Sequence, residues 1–100
     1  MVIVYEVTAD VEPALCDDYE EYMKATHMPD VLATGAFTSA LFERSLLGSR
    51  FRMRYFCPNR ETLDEYLEED APALRADFNS HFSTGVNLVR EEWEIIKAFA

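Results

Sequence analysis

The chain has 100 residues, 49% hydrophobic and 13% aromatic, which suits one domain whose core needs neither disulfides nor metal. Its formal net charge of −10 argues against nucleic acid or an anionic membrane as partner, because both repel such a chain. Cys16 and Cys57 lack paired spacing, no segment nears the roughly 20 apolar residues of a membrane span, and the N-terminal apolar run has no basic start, so a reducing cytoplasm is expected.

Val2 to Thr8 reads as a strand rich in β-branched residues. Asp10 is a candidate helix cap, and Pro13 suits a first helical turn, where a missing N–H costs nothing. Val11, Leu15, Tyr19, Tyr22 and Met23 then recur at helical spacing, with acidic residues on the other faces. Pro29 disfavours helical geometry at Met28, so the helix is predicted to end near His27 or Met28.

Phe37 to Leu46 and Arg50 to Cys57 read as two strands around Gly48-Ser49. A two-residue hairpin loop there sets Leu46 opposite Phe51, Phe42 opposite Tyr55 and Glu43 opposite Arg54. One face carries Ala40, Phe42, Leu46, Phe51, Met53, Tyr55 and Cys57, with Arg44 as its charged exception. The other mixes Phe37, Leu41 and Phe56 with Glu43, Arg52 and Arg54. Asn59 can cap a second helix with the apolar stripe Leu63, Tyr66, Leu67, Leu74, Phe78 and Phe82, broken near Pro72. Val86 to Lys97 reads as the last strand.

The element order is β-α-β-β-α-β, the ferredoxin-like α+β arrangement. Right-handed crossovers predict an antiparallel four-stranded sheet of order 4-1-3-2 with both helices on one face. The other face is left bare. Its interleaved apolar and oppositely charged residues predict a self-complementary surface, through which two sheets stack as a homodimer. The competing reading is a solvated sheet face.

The chain resembles the dimeric α+β-barrel superfamily and, more narrowly, a family of short, mostly bacterial proteins of unknown function. The residues that carry the resemblance begin with Tyr5-Glu6-Val7-Thr8 and His27-Met28-Pro29-Asp30-Val31 followed by Thr34-Gly35-Ala36-Phe37. They continue with Tyr55-Phe56, Tyr66-Leu67 and Ala71-Pro72-Ala73-Leu74-Arg75. The resemblance covers nearly the whole chain and implies the fold. It implies no single activity, since that superfamily includes cofactor-free monooxygenases, isomerases, haem-binding enzymes and proteins without known chemistry. It does imply where a site would lie: in a pocket between helices and sheet, or at its mouth near the dimer interface.

His27 is the first candidate for chemistry. At a helix C-terminus the dipole favours the protonated ring and brings its pKa near neutrality, which suits acid–base work. The alternative is a histidine that caps the last carbonyls. Tyr5 and Tyr55 are expected on the helix-facing side of adjacent strands, either orienting a ligand or packing with their hydroxyls at the rim. Arg44 either binds a ligand carboxylate or enolate, or reaches water and pairs with a helix carboxylate. Asp70 either caps the restarted helix or acts as a base. Arg75 and Asp77 are expected in local ion pairs, and His81 in packing or capping.

No His-x-x-x-His, cysteine cluster, Gly-rich loop or Gly-x-Ser-x-Gly element is present, so no metal or cofactor is expected. A lone histidine leaves haem ligation to analogy. Two function classes follow. One is a pocket for a small, largely apolar molecule with a polar or anionic group, with His27 as acid–base residue. The other is a non-catalytic binding or regulatory module that acts on another protein through its acidic surface.

Overall fold

The computed structural model describes residues 1–100. Strand β1 spans Ile3–Val11 and is followed by a 3-10 turn over Pro13–Leu15. The first helical run is α1 (Cys16–Tyr22), a π turn (Met23–His27) and α2 (Met28–Ala33). Strands β2 (Ser39–Arg44) and β3 (Arg50–Cys57) precede α3 (Arg60–Glu69), α4 (Ala71–His81) and β4 (Val86–Glu94). The sheet order is β2-β3-β1-β4 and every pairing is antiparallel. This is the ferredoxin-like α+β fold, with the helices against one sheet face and the second helix broken at Asp70, two residues before Pro72.

Alternation along β1 sends Ile3, Tyr5, Val7, Ala9 and Val11 into the helix-facing core, where Phe51, Met53, Tyr55 and Cys57 of β3 meet them. Tyr19 of α1 is 0% exposed and packs between Phe51, at 5.0 Å between ring centroids, and Phe82 at 5.7 Å. Asn59 caps α3, its side-chain oxygen accepting from the Thr62 N–H at 2.8 Å.

Four local expectations are corrected. The first helix does not stop at His27. Met28 N–H donates to the Met23 carbonyl five residues back. This wider turn accommodates Pro29, which would otherwise clash with the carbonyl four residues before it. The run continues to Thr34, and Gly35, at φ +82°, ends it.

Asp10 caps no helix, because β1 runs past it and its carboxylate pairs with Arg50 at 3.2 Å.

The hairpin loop is Ser45–Ser49 rather than two residues. Phe42 therefore faces Met53, Glu43 faces Arg52 and Arg44 faces Phe51. The slip is two residues, so every side chain keeps its face. Leu46, 100% exposed, leaves the sheet altogether.

Phe37 lies before β2, not on the bare face. It is buried and stacks on Tyr5 at 6.1 Å and edge-on to Tyr66 at 4.8 Å.

The face away from the helices is bare. Glu43 accepts from both Arg52 (3.0 Å) and Arg54 (2.9 Å), Arg52 also approaches Glu6 at 3.8 Å, and Trp93 donates to Glu6 at 3.3 Å. Leu41, Val89 and Trp93 are 45%, 57% and 53% exposed. No helix is long and apolar enough to cross a membrane.

Candidate functional site

A cavity of about 40 Å³ lies between the helices and the sheet. Its sheet side is Tyr5 and Val7 of β1, Met53 and Tyr55 of β3, and Leu88 and Arg90 of β4. Tyr19, Met23, His27 and Val31 close it from the first helical run, and Tyr66, Arg75 and Phe78 from the second. Ten of these 13 residues are hydrophobic, so the polar groups stand out.

His27 closes the π turn that Met23 opens, and both reach the cavity. The widened turn puts them on one helix face, consistent with the occurrence of π turns at functional positions. The imidazole stacks on Tyr22 at 6.3 Å and meets Phe78 edge-on at 5.4 Å. Because the helix continues to Ala33, His27 does not sit at a helix C-terminus, and the dipole argument for a protonated ring falls. Burial instead holds its pKa below the ordinary 6.5; Arg90 acts in the same direction, while Asp30 and Asp77 oppose it. The ring is therefore neutral at pH 7.

Tyr5 and Tyr55 face each other across β1 and β3, with ring centroids 6.1 Å apart. Tyr66 joins them at 6.2 Å from Tyr5. Arg75 donates to the Tyr5 hydroxyl at 2.9 Å. The hydroxyls of Tyr55 and Tyr66 have no protein partner, yet no fully buried side-chain polar atom is left unpaired. Both hydroxyls therefore keep accessible surface. Burial pushes both phenols up, Tyr66 to about 12 and Tyr55 further, so they are neutral donors and acceptors.

The other two expected ligand residues lie elsewhere. Arg44 is on the helix-facing side of β2 but near its end, where it pairs with Glu20 at 3.4 Å and covers the Phe51 ring at 5.3 Å. Asp70 sits at the junction of α3 and α4, outside the cavity lining, and its side chain makes no capping bond. Asp70 keeps helical φ and ψ between the two helices, so α4 starts without a side-chain cap. The expected local pairing of Arg75 with Asp77 is replaced by the bond to Tyr5.

Arg75, Arg90 and Tyr66 line the cavity and were not singled out for it by the sequence. Arg90 follows Val86 and Leu88 at strand spacing, which is the signal that assigns it to the helix-facing side. Arg75 is three residues before Phe78, on the helix face that turns inward.

A larger concavity, about 510 Å³, lies on the bare face around Glu6, Thr8, Glu43, Arg52 and Glu91. It is polar, and its arginines are already paired with carboxylates. The smaller cavity is the better candidate because apolar walls and convergent polar groups mark ligand sites more reliably than size.

The chain belongs to the DUF4286 family, a domain of unknown function. The family model matches residues 2–96. No curated protein matches the sequence significantly. Among solved structures, a conserved protein of unknown function from Bacteroides thetaiotaomicron, described as a possible oxidoreductase, superposes with a TM-score of 0.74 at 15% identity. That match covers 94% of this chain and 97% of the other. SnoaB from Streptomyces nogalater, a cofactor-independent oxygenase, gives 0.69 at 10% identity over 97% of this chain and 95% of its own. A Streptomyces coelicolor monooxygenase bound to nanaomycin D gives 0.66 at 15% identity over 98% and 92%. At these identities the likeness is one of fold: ferredoxin-like α+β proteins of the monooxygenase type.

Proposed function

We propose that this DUF4286 member is a homodimer that binds a small, largely apolar molecule with a polar or anionic group between its helices and sheet, with His27 as the acid–base residue. One observation carries this reading: a neutral imidazole, tyrosine hydroxyls and guanidinium groups converge on one apolar cavity. A neutral imidazole can take a proton from a bound ligand and return it, which needs no cofactor. Tyr5, held by Arg75, and Tyr55 would orient the ligand's polar end. Arg44 and Asp70 have no part in this proposal, since they lie outside the lining. Cofactor-independent chemistry is attributed to SnoaB on the same fold, which supports the reading by analogy alone.

Size restricts the ligand. A cavity of about 40 Å³ is far below the ~150 Å³ that accommodates benzene. A ligand much larger than benzene would need lining side chains to move aside. The same small volume favours the second reading, a non-catalytic interaction module whose core is closed by its own side chains.

Dimerisation is proposed through the bare sheet face. Its exposed Leu41, Val89 and Trp93 alternate with carboxylate–guanidinium pairs that have already neutralised one another. Such a surface can be covered by its own copy with its arginines already matched, leaving Glu91 as the carboxylate that needs a partner or a place at the rim.

Native mass spectrometry of freshly purified protein, beside a denaturing spectrum, tests both parts. A dimer with added mass that is lost on denaturation is expected. A monomer would sink the sheet-stacking proposal. For the chemistry, His27→Gln should abolish turnover of the identified compound while the dimer persists; unchanged turnover would remove His27 from the mechanism.

A further inference from the structure

The chain carries 19 Asp and Glu against nine Lys and Arg, so carboxylates are in excess around every guanidinium. Five of its seven arginines have taken one. Arg44 pairs with Glu20, Arg50 with Asp10, Arg52 with Glu43 and Glu6, Arg54 with Glu43, and Arg60 with Asp64 and Glu92. The two without a carboxylate partner are Arg75 and Arg90, and both line the helix–sheet cavity.

Their placement comes from two separate elements. Arg90 lies on β4 opposite Val7, one strand step beyond Leu88, at the open side of the helix-covered face. Arg75 comes from α4, is half-buried, and spends one N–H on the Tyr5 hydroxyl. A guanidinium has five N–H donors in a planar fork, so most of Arg75 and all of Arg90 remain uncommitted. Tyr66 lies within the field of both cations. The carboxylates near the site, Asp30, Asp70 and Asp77, make no ion pair with either arginine. Two cations left unpaired at one cavity, in a chain this acidic, are placed to receive an anion from outside the chain.

We propose, building on the pocket reading above, that Arg75 and Arg90 form a carboxylate-binding site at the mouth of the cavity. The ligand is a short aliphatic monocarboxylate. Guanidinium forks match a carboxylate's two oxygens, and the Tyr5 and Tyr66 hydroxyls stand beside them. The apolar end enters the cavity, whose 40 Å³ holds roughly one or two water-sized groups, so the acid has about two to four carbons.

The test is amide NMR titration of the full chain at low salt with propionate, 1-propanol and inorganic phosphate. Propionate should shift amides around Tyr5, Tyr66 and Leu88 saturably and bind at least tenfold more tightly than propanol or phosphate. Arg90→Gln should weaken propionate at least tenfold and leave propanol unchanged. Arg90 makes no side-chain bond, so this variant keeps the fold; Arg75→Lys, which retains charge but not the fork, should weaken propionate less than Arg75→Gln. Equal binding of propionate and propanol would overturn the carboxylate site and leave the pocket standing. Phosphate binding as tightly as propionate would overturn the assignment to carboxylates. No shift at the cavity with any probe would overturn the site and the pocket reading together.

Discussion

The two faces of the sheet use the same kinds of residue in opposite ways. On the bare face every arginine is matched: Glu43 alone serves Arg52 and Arg54, and Asp10 serves Arg50. On the helix-covered side, aromatic rings fill the space, and the two arginines that reach the cavity have no carboxylate. Paired charges cost little to cover and do little chemistry. Unpaired charges beside an apolar wall are costly to cover unless something else binds them. The comparison separates a surface suited to self-association from one suited to a ligand.

The largest expected effect lies in the aromatic layer on the helix side. Tyr19→Ala should cost about 3–5 kcal/mol in urea unfolding, as truncation of a fully buried aromatic does. Leu41→Ala on the bare face should change monomer stability by about 0.5 kcal/mol or less. A Leu41→Ala loss approaching that of Tyr19→Ala, and growing with protein concentration, would show that the bare face is itself a buried interface.

His27 gives the next effect. The folded state disfavours its proton, so the unfolded chain binds more protons below pH 6.5. Stability from this group is fully present above pH 6.5 and is lost as pH falls toward the depressed folded value. The slope is at most about 1.4 kcal/mol per pH unit. His27→Gln should remove that part of the pH dependence of the urea midpoint; an unchanged profile would mean the ring is solvated rather than facing the cavity.

Asn59→Ala should cost about 1 kcal/mol by thermal or urea unfolding, through the lost bond to the Thr62 N–H. The smallest effect belongs to the bare face. Hydrogen bonds from Arg54 and then Arg52 hold the Glu43 carboxyl below its ordinary 4.5. That contribution is present above pH 4.5 and lost below it. The network is at the surface and only half-buried, so Glu43→Gln should cost under about 1 kcal/mol, less still at high salt. A larger, salt-resistant loss would mean that the network is covered in solution.

Much of this molecule is legible in its sequence. Strand alternation assigned Tyr5 and Tyr55 to the helix-facing side, and the turn residues Asn59 and Pro72 marked the start and the break of the second helical run. The two-residue register slip left the faces intact because strand periodicity is two. Pro29 misled because a π turn can carry a helix through a proline. Arg44 takes the second of its two expected roles, pairing with a helix carboxylate, Glu20, near the strand end, whereas Asp70 neither caps α4 nor lines the cavity; face and spacing alone do not choose between such roles.

The sequence by itself determined the element order, the sheet topology and the two-faced character of the strands, because period 2 and period 3.6 are local properties of the chain. Only the tertiary structure decided which polar groups meet at the cavity. Tyr5 and Arg75 are 70 residues apart in the chain and 2.9 Å apart in the fold. Whether an arginine finds a carboxylate likewise depends on which distant strands and helices share its neighbourhood, and residue spacing along the chain carries no record of that.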